Sequence, residues 1–209
     1  MRLWVPRGFR EVTELEVKRS RFITTLARAD DEDAARAIIA DVRGTWPDAR
    51  HHCTAFIVEV PEAQPIERSS DDGEPSGTAG RPMLDVLRGA QVAQVVAVVT
   101  RYFGGVKLGT GGLVRAYSDA VSLALDGAPR VRPVVSPVFE VEFSYADAAR
   151  AQEACAAAGL RVVGEVYAEA VTLQIAGDGE QVRTLAAEIA RGEVAVIARG
   201  ELLVEEPVA

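Results

Sequence analysis

The chain has 209 residues, 48% of them hydrophobic and 26% charged, with a formal net charge of −8; this composition excludes a disordered or collagen-like chain and suits two small cores better than one. No apolar run approaches the ~20 residues that cross a bilayer, and the N-terminal MRLWVPRGFREVTELEVKRS lacks the apolar core of a signal peptide. Cys53 and Cys155 lie far apart and outside any CxxC or Cys/His spacing, so neither a disulfide framework nor a zinc site is expected. The chain reads as a cytoplasmic monomer without a membrane partner.

Alternation in REVTELEVKRSRFITTLA predicts a strand pair broken near Lys18 to Ser20. DDEDAARAIIADVRGTW then opens with acids and carries Ala, Ile and Val at helical spacing up to Gly44. HHCTAFIVEV alternates as a strand, and residues 61–80 read as one long polar loop. RPMLDVLRGA is a helix with Pro82 near its start, AQVVAVVTRYF a buried strand, and TGGLVRAYSDAVSLALDGA a helix ending at Gly127. PRVRPVVSP, with its three prolines, reads as a stiff extended connector. After it, PVFEVEFSY, ADAARAQEACAAAGL, RVVGEVYAEAVTLQIAG, GEQVRTLAAEIARG and EVAVIARGELLVEE give the order βαββαβ of a ferredoxin-like unit. The fold class is therefore α+β with two domains, residues 1–130 and 138–209, joined by a linker at 131–137.

Charge divides unevenly between them. Through Pro133 there are 18 Lys+Arg and 18 Asp+Glu, and from Val134 onward 5 and 13. The neutral first part holds local basic groups: Lys18, Arg19 and Arg21; Arg50 with His51 and His52; then Arg81, Arg101, Lys107 and Arg115. A polyanion would be held there and repelled by the acidic second part.

Two glycine-rich segments lead into helix starts. SDDGEPSGTAGRPM carries Gly73, Gly77, Thr78 and Gly80, and GGVKLGTGG carries Gly104, Gly105, Gly109, Thr110, Gly111 and Gly112. Unpaired N–H groups at a helix start, backed by the helix dipole and stripped of Cβ atoms, suit a phosphate. Arg81, Arg101, Lys107 and Arg115 would add charge-assisted contacts, and Tyr102 or Phe103 a stacking face for a base. Walker A and GxGxxG both fail, which excludes a standard NTPase or dehydrogenase loop. The same glycines also suit tight turns and close helix–sheet packing.

Signals for catalysis are few. His51 and Cys53 share one face of their strand, while His52 and Thr54 share the other. A Cys53–His dyad is weighed against an ordinary core cysteine, and the core reading is preferred because nothing lowers the thiol pKa. Asp71, Asp72 and Glu74 would hold Mg²⁺ beside a phosphate, or form a solvated turn. Cys155, in an alanine-rich helix, is read as packing.

The run VVTRYFGGVKLGTGGLVRAY, together with VKRSRFI (17–23), WPDARHHC (46–53) and SDDGEPSGTAGRPML (70–84), resembles the signature of the YigZ/IMPACT family, most closely its bacterial YigZ members. The resemblance spans essentially the whole chain. It implies an N-terminal left-handed βαβ domain like domain IV of elongation factor G and RNase PH, and a C-terminal domain like domain V of that factor. It also implies a role in translation and a site drawn from Arg21, His52, Asp71, Asp72, Gly73, Glu74, Gly77, Thr78, Gly80, Arg101, Gly104, Gly105, Gly109, Thr110, Gly111, Gly112 and Arg115.

Three functions stay open. The preferred expectation is an RNA- or ribosome-binding module for translation control, without a cofactor and with a protein partner in that process. The second is a Mg²⁺-dependent enzyme acting on a phosphorylated small molecule, with His52 as acid or base and Asp71 and Asp72 on the metal. The third is a protein-interaction module.

Overall fold

The computed structural model describes residues 2–208. In chain order its elements are β1 (Leu3–Trp4), β2 (Arg10–Val17), β3 (Ser20–Arg28), α1 (Glu32–Thr45), β4 (His51–Val58), β5 (Ile66–Ser70), α2 (Gly80–Gly89), β6 (Val92–Ala93), β7 (Val95–Tyr102) and α3 (Thr110–Asp126). There follow β8 (Val131–Phe143), α4 (Tyr145–Ala157), β9 (Arg161–Tyr167), β10 (Val171–Ala176), α5 (Gly179–Ala190) and β11 (Val196–Pro207). They form two compact units, Met1–Arg132 with Pro207–Ala209, and Pro133–Glu206. Met1 and Ala209, the outermost residues of the two expected domains, lie outside the described residues. No helix among the described residues is long and apolar enough to cross a membrane.

The first unit is built on an antiparallel sheet of order β2-β3-β7-β4-β5. Its central strands are apolar without alternation because both faces are covered. Val95, Ala97 and Val99 face the core under α2 and α3, with Phe22, Leu26, Met83, Leu87 and Tyr117. Val96 and Val98 face the opposite layer with Ala35, Val42 and Phe56, on the side of α1. Helix α1 starts at Asp31, whose side chain accepts from the Ala34 N–H at 2.7 Å, as its acidic first turn predicts.

One local expectation is corrected and another refined. The polar loop 61–80 contains strand β5, an edge strand IERSS in which Ile66 and Glu67 are partly buried and Arg68, Ser69 and Ser70 exposed, so that it shows no apolar alternation. The connector expected at 131–137 is extended, as the first half of β8, and the division between the two units falls within it, after Arg132. Its prolines lack an N–H, but the β8–β10 ladder runs from Val138 to Phe143, beyond both Pro133 and Pro137.

The second unit has the order βαββαβ and the strand order β9-β10-β8-β11, with α4 and α5 sharing a core with Val141, Phe143, Val171, Leu173 and Ile175. That is the split βαβ arrangement the sequence predicts. Ser144 and Asp178 cap its helices: Ser144 Oγ accepts from the Asp147 N–H, and Asp178 from those of Glu180 and Gln181.

Candidate nucleic-acid interface

Pairing of β4 with β7 sets His51 opposite Arg101 and His52 opposite Thr100. Side chains alternate across the sheet, so the two histidines go to opposite faces. His51 reaches a cavity of about 610 Å³ between the end of β7, the 103–109 loop and the start of α3. Arg50, Arg101 and Lys107 supply cations to this cavity, Asp48 and Glu74 carboxylates, and Tyr102 and Phe103 aromatic rings. Gly109 and Thr110 close it on the helix side.

The N-terminus of α3 differs from those of the other four helices. Gly109 occupies its cap position at φ 74, ψ 169, left-handed backbone that favours glycine, and supplies no side-chain acceptor. The N–H groups of Thr110, Gly111 and Gly112 therefore have no hydrogen-bond acceptor among the described residues. Such groups carry the positive end of the helix dipole. By contrast, α2 is closed from a distance: the Asp71 carboxylate accepts from the N–H groups of Gly77 (2.8 Å), Ala79 (3.0 Å) and Gly80 (2.8 Å). Burial alone would raise the Asp71 carboxyl, but these three donors outweigh it and hold its pKa below the ordinary value. The anion at the first glycine loop is the protein's own.

Asp72 serves another contact set. Its oxygens accept from Arg43 (2.7 Å) and from the His52 backbone N–H (2.6 Å), tying the turn to α1 and β4. The two carboxylates thus engage separate partners and do not converge on one point. Thr78 is buried and donates to the Pro75 carbonyl at 2.6 Å.

Beneath the cavity lies a buried polar network. Glu74 Oε1 accepts from Arg101 Nη1 (2.6 Å) and from the Tyr117 hydroxyl (2.8 Å), with the Arg101 and Glu74 side chains only 8% and 4% exposed. The Arg101 guanidinium also lies 5.5 Å from the Phe22 ring and 5.7 Å from that of Phe103. Its Nε is buried and has no hydrogen-bond partner. A buried donor without an acceptor costs about 1–3 kcal/mol.

Cys53 is core. Its sulfur lies 3.0 Å from the Asp71 carbonyl and 3.3 Å from the Tyr117 hydroxyl, and burial pushes the thiol pKa up to about 12. A thiolate nucleophile is excluded at neutral pH. His52 lies on the far face with Nδ1 3.0 Å from Thr100 Oγ1, and burial lowers its pKa against the opposing charge of Asp72.

Of the residues singled out in the sequence, the structure brings Arg50, His51, Glu74, Arg101, Tyr102, Phe103, Lys107, Gly109 and Thr110 into one cavity, with Lys18, Gly111, Gly112 and Arg115 on the other flank of the same helix start. The rest go elsewhere. Arg21 is bidentate to Glu14 (2.7 and 2.9 Å), and Arg81 is paired with Asp85 at 3.0 Å. Gly104 is required by packing, since a Cβ there would stand 2.0 Å from the Arg19 backbone. Gly105 has φ 84 in the exposed loop. Gly77, Thr78 and Gly80 surround Asp71, and His52 does not face the cavity. In the sequence Arg50 reads only as part of a basic group, and His51 as that and as a face-mate of Cys53; the signal that places His51 is its register opposite Arg101, a long-range pairing.

These residues fall inside a recognised domain. The Impact N-terminal domain matches residues 18–125, and a domain of unknown function, DUF1949, matches residues 141–191. IMPACT family member YigZ of Escherichia coli is 38% identical over 186 residues, 88% of this chain and 91% of that protein. An IMPACT family member of Haemophilus influenzae is 44% identical over 144 residues, 69% of this chain and 70% of that one. A crystal structure of a hypothetical protein is similar at a TM-score of 0.60 with 35% identity, covering 95% of this chain and 98% of the other. With its domain model, its relatives and its motifs in agreement, the chain belongs to the IMPACT family.

Proposed function

We propose that the cavity at the start of α3 binds single-stranded RNA, as part of a role in translation. A phosphate sits on the free N–H groups of the first helical turn, with Lys107 and Arg50 beside it, and a base stacks on Phe103, a residue 57% exposed. The observation that carries this reading is the partnerless Arg101 Nε, in a side chain more than nine-tenths buried, beside an uncapped helix. Arg101 itself is held by Glu74, so its part is orientation and a single donor, while Lys107 and Arg50 make no ion pair among the described residues.

The test is fluorescence anisotropy with a labelled single-stranded RNA at about 50 and about 200 mM salt. Each phosphate neutralised on a single strand contributes a slope of about −0.7 in log K against log salt. Lys107→Ala is expected to weaken binding and flatten that slope by about 0.7. RNA binding independent of salt, or equal in Lys107→Ala, overturns the proposal.

His51 favours a second reading. Its Nδ1 lies 2.9 Å from the Asp72 carbonyl, which requires Nδ1 to donate and leaves Nε2 as the acceptor of the neutral ring. Acid–base work in the cavity would therefore fall to His51 rather than His52. Turnover of a phosphorylated small molecule, abolished by His51→Ala without loss of fold, would establish it.

A further inference from the structure

The first turn of α3 opens on two sides. Beyond Leu108, which walls both spaces, lies a groove of about 380 Å³ bordered by Lys18, Gly111, Gly112, Arg115 and Asp119. Lys18 and Arg115 are exposed and make no ion pair among the described residues. Several nearby arginines are neutralised: Arg21 by Glu14, Arg43 by Asp72 and Arg81 by Asp85. Two cations without an ion pair among the described residues therefore border each flank of this helix start, Arg50 and Lys107 on one and Lys18 and Arg115 on the other.

Lys18 sits at the tip of the β2–β3 hairpin, at φ 47, followed by Arg19 at φ 64. Two consecutive cationic residues in left-handed backbone are uncommon in a hairpin turn, where Asn-Gly is favoured. The tip is fastened against the glycine loop, because Gly104 lies in direct contact with the Arg19 backbone and donates its N–H to Ser20 Oγ at 3.1 Å.

We propose that this groove is a second phosphate subsite, so that an RNA strand crosses the start of α3 with one phosphate in the large cavity and a neighbouring one between Lys18 and Arg115. The proposal rests on the RNA reading of the large cavity and narrows it: the ligand is a polynucleotide strand and not a mononucleotide. Gly109 and Gly112 are only about 4.5 Å apart along the helix axis, so one strand passing over Leu108 reaches both spaces. The partnerless Nε of Arg101 belongs to the large cavity, and the groove shares with that cavity only the helix start and Leu108. Asp119 also borders the groove and opposes an anion there. The groove therefore adds affinity to a strand already held by the large cavity rather than capturing a phosphate alone.

The test compares 5′-phosphorylated, labelled oligo(U) of one, two and ten nucleotides on the parent, Lys18→Ala/Arg115→Ala and Asp119→Asn. On the parent, affinity is expected to rise about three- to tenfold between one and two nucleotides, the scale of two exposed charge contacts. The double variant loses that rise and flattens the ten-mer's salt slope by about 0.7, the share of one phosphate, yet holds the mononucleotide as the parent does. Asp119→Asn binds the ten-mer more tightly than the parent. If the mononucleotide binds but length adds nothing, or if the double variant holds the ten-mer as tightly as the parent, the second subsite falls and the large-cavity reading stands. If the parent binds none of the three, both fall.

Discussion

Replacing Glu74 by Gln removes the only negative charge hydrogen-bonded to Arg101 among the described residues, while keeping an acceptor of similar shape. With the pair's side chains 8% and 4% exposed, Arg101 cannot recover its charge partner from solvent. Breaking a buried ion pair at one end costs about 3–5 kcal/mol. The Gln carbonyl still accepts from Arg101 and Tyr117, so the lower end, about 3 kcal/mol, is expected. For a unit of this size that lowers Tm by roughly 10 °C. Both tryptophans, Trp4 and Trp46, lie in the first unit, so tryptophan fluorescence during thermal or urea unfolding reports on it. Glu74→Gln/Arg101→Met, which removes both charges, should recover most of the loss, because an apolar replacement of a buried pair is often neutral. A loss under about 1 kcal/mol in Glu74→Gln, the scale of an exposed pair, would refute the buried-network reasoning.

Other consequences follow from the same geometry. Iodoacetamide at pH 8 should leave Cys53 unmodified until the first unit unfolds. Because its folded pKa is raised to about 12, the thiol's contribution is complete below the unfolded value near ~8.5 and is lost as pH rises toward 12. His52 behaves in the opposite sense: its folded pKa is lowered, so its contribution is present above the unfolded value and fades as pH falls below it, and the ring should titrate below ~6.5 by NMR. Asp71→Ala uncaps α2 and should cost about 1–2 kcal/mol in urea unfolding; an unchanged midpoint would contradict the cap. Gly104→Ala should fail to fold stably, since its Cβ meets fixed backbone at 2.0 Å, whereas Gly111→Ala has open space and should melt with the parent but bind RNA more weakly.

Most of the first unit was legible because local patterns agree with the fold. The Lys18 to Ser20 break, the acidic start of α1 and the helical end at Gly127 are all set within a few residues. Strand β5 was not legible, since a polar edge strand has no apolar period, and the prolines of β8 masked a strand. The site was legible in part. Glycine content marked both helix starts, yet whether each was vacant depended on partners distant in sequence or around a turn: Asp71 reaches back to α2 across nine residues, and Glu74 meets Arg101 across 27. Alternation placed His51 and His52 on opposite faces, but only the β4–β7 register shows which face holds the cavity.

The central claim is most directly tested by amide NMR of the full chain during titration with a short single-stranded RNA. The N–H groups of Thr110, Gly111 and Gly112 and the Arg101 Nε–H should move first and furthest, in a salt-dependent manner. Shifts confined to the second unit, or to the Asp71 turn, would contradict an RNA site at the start of α3.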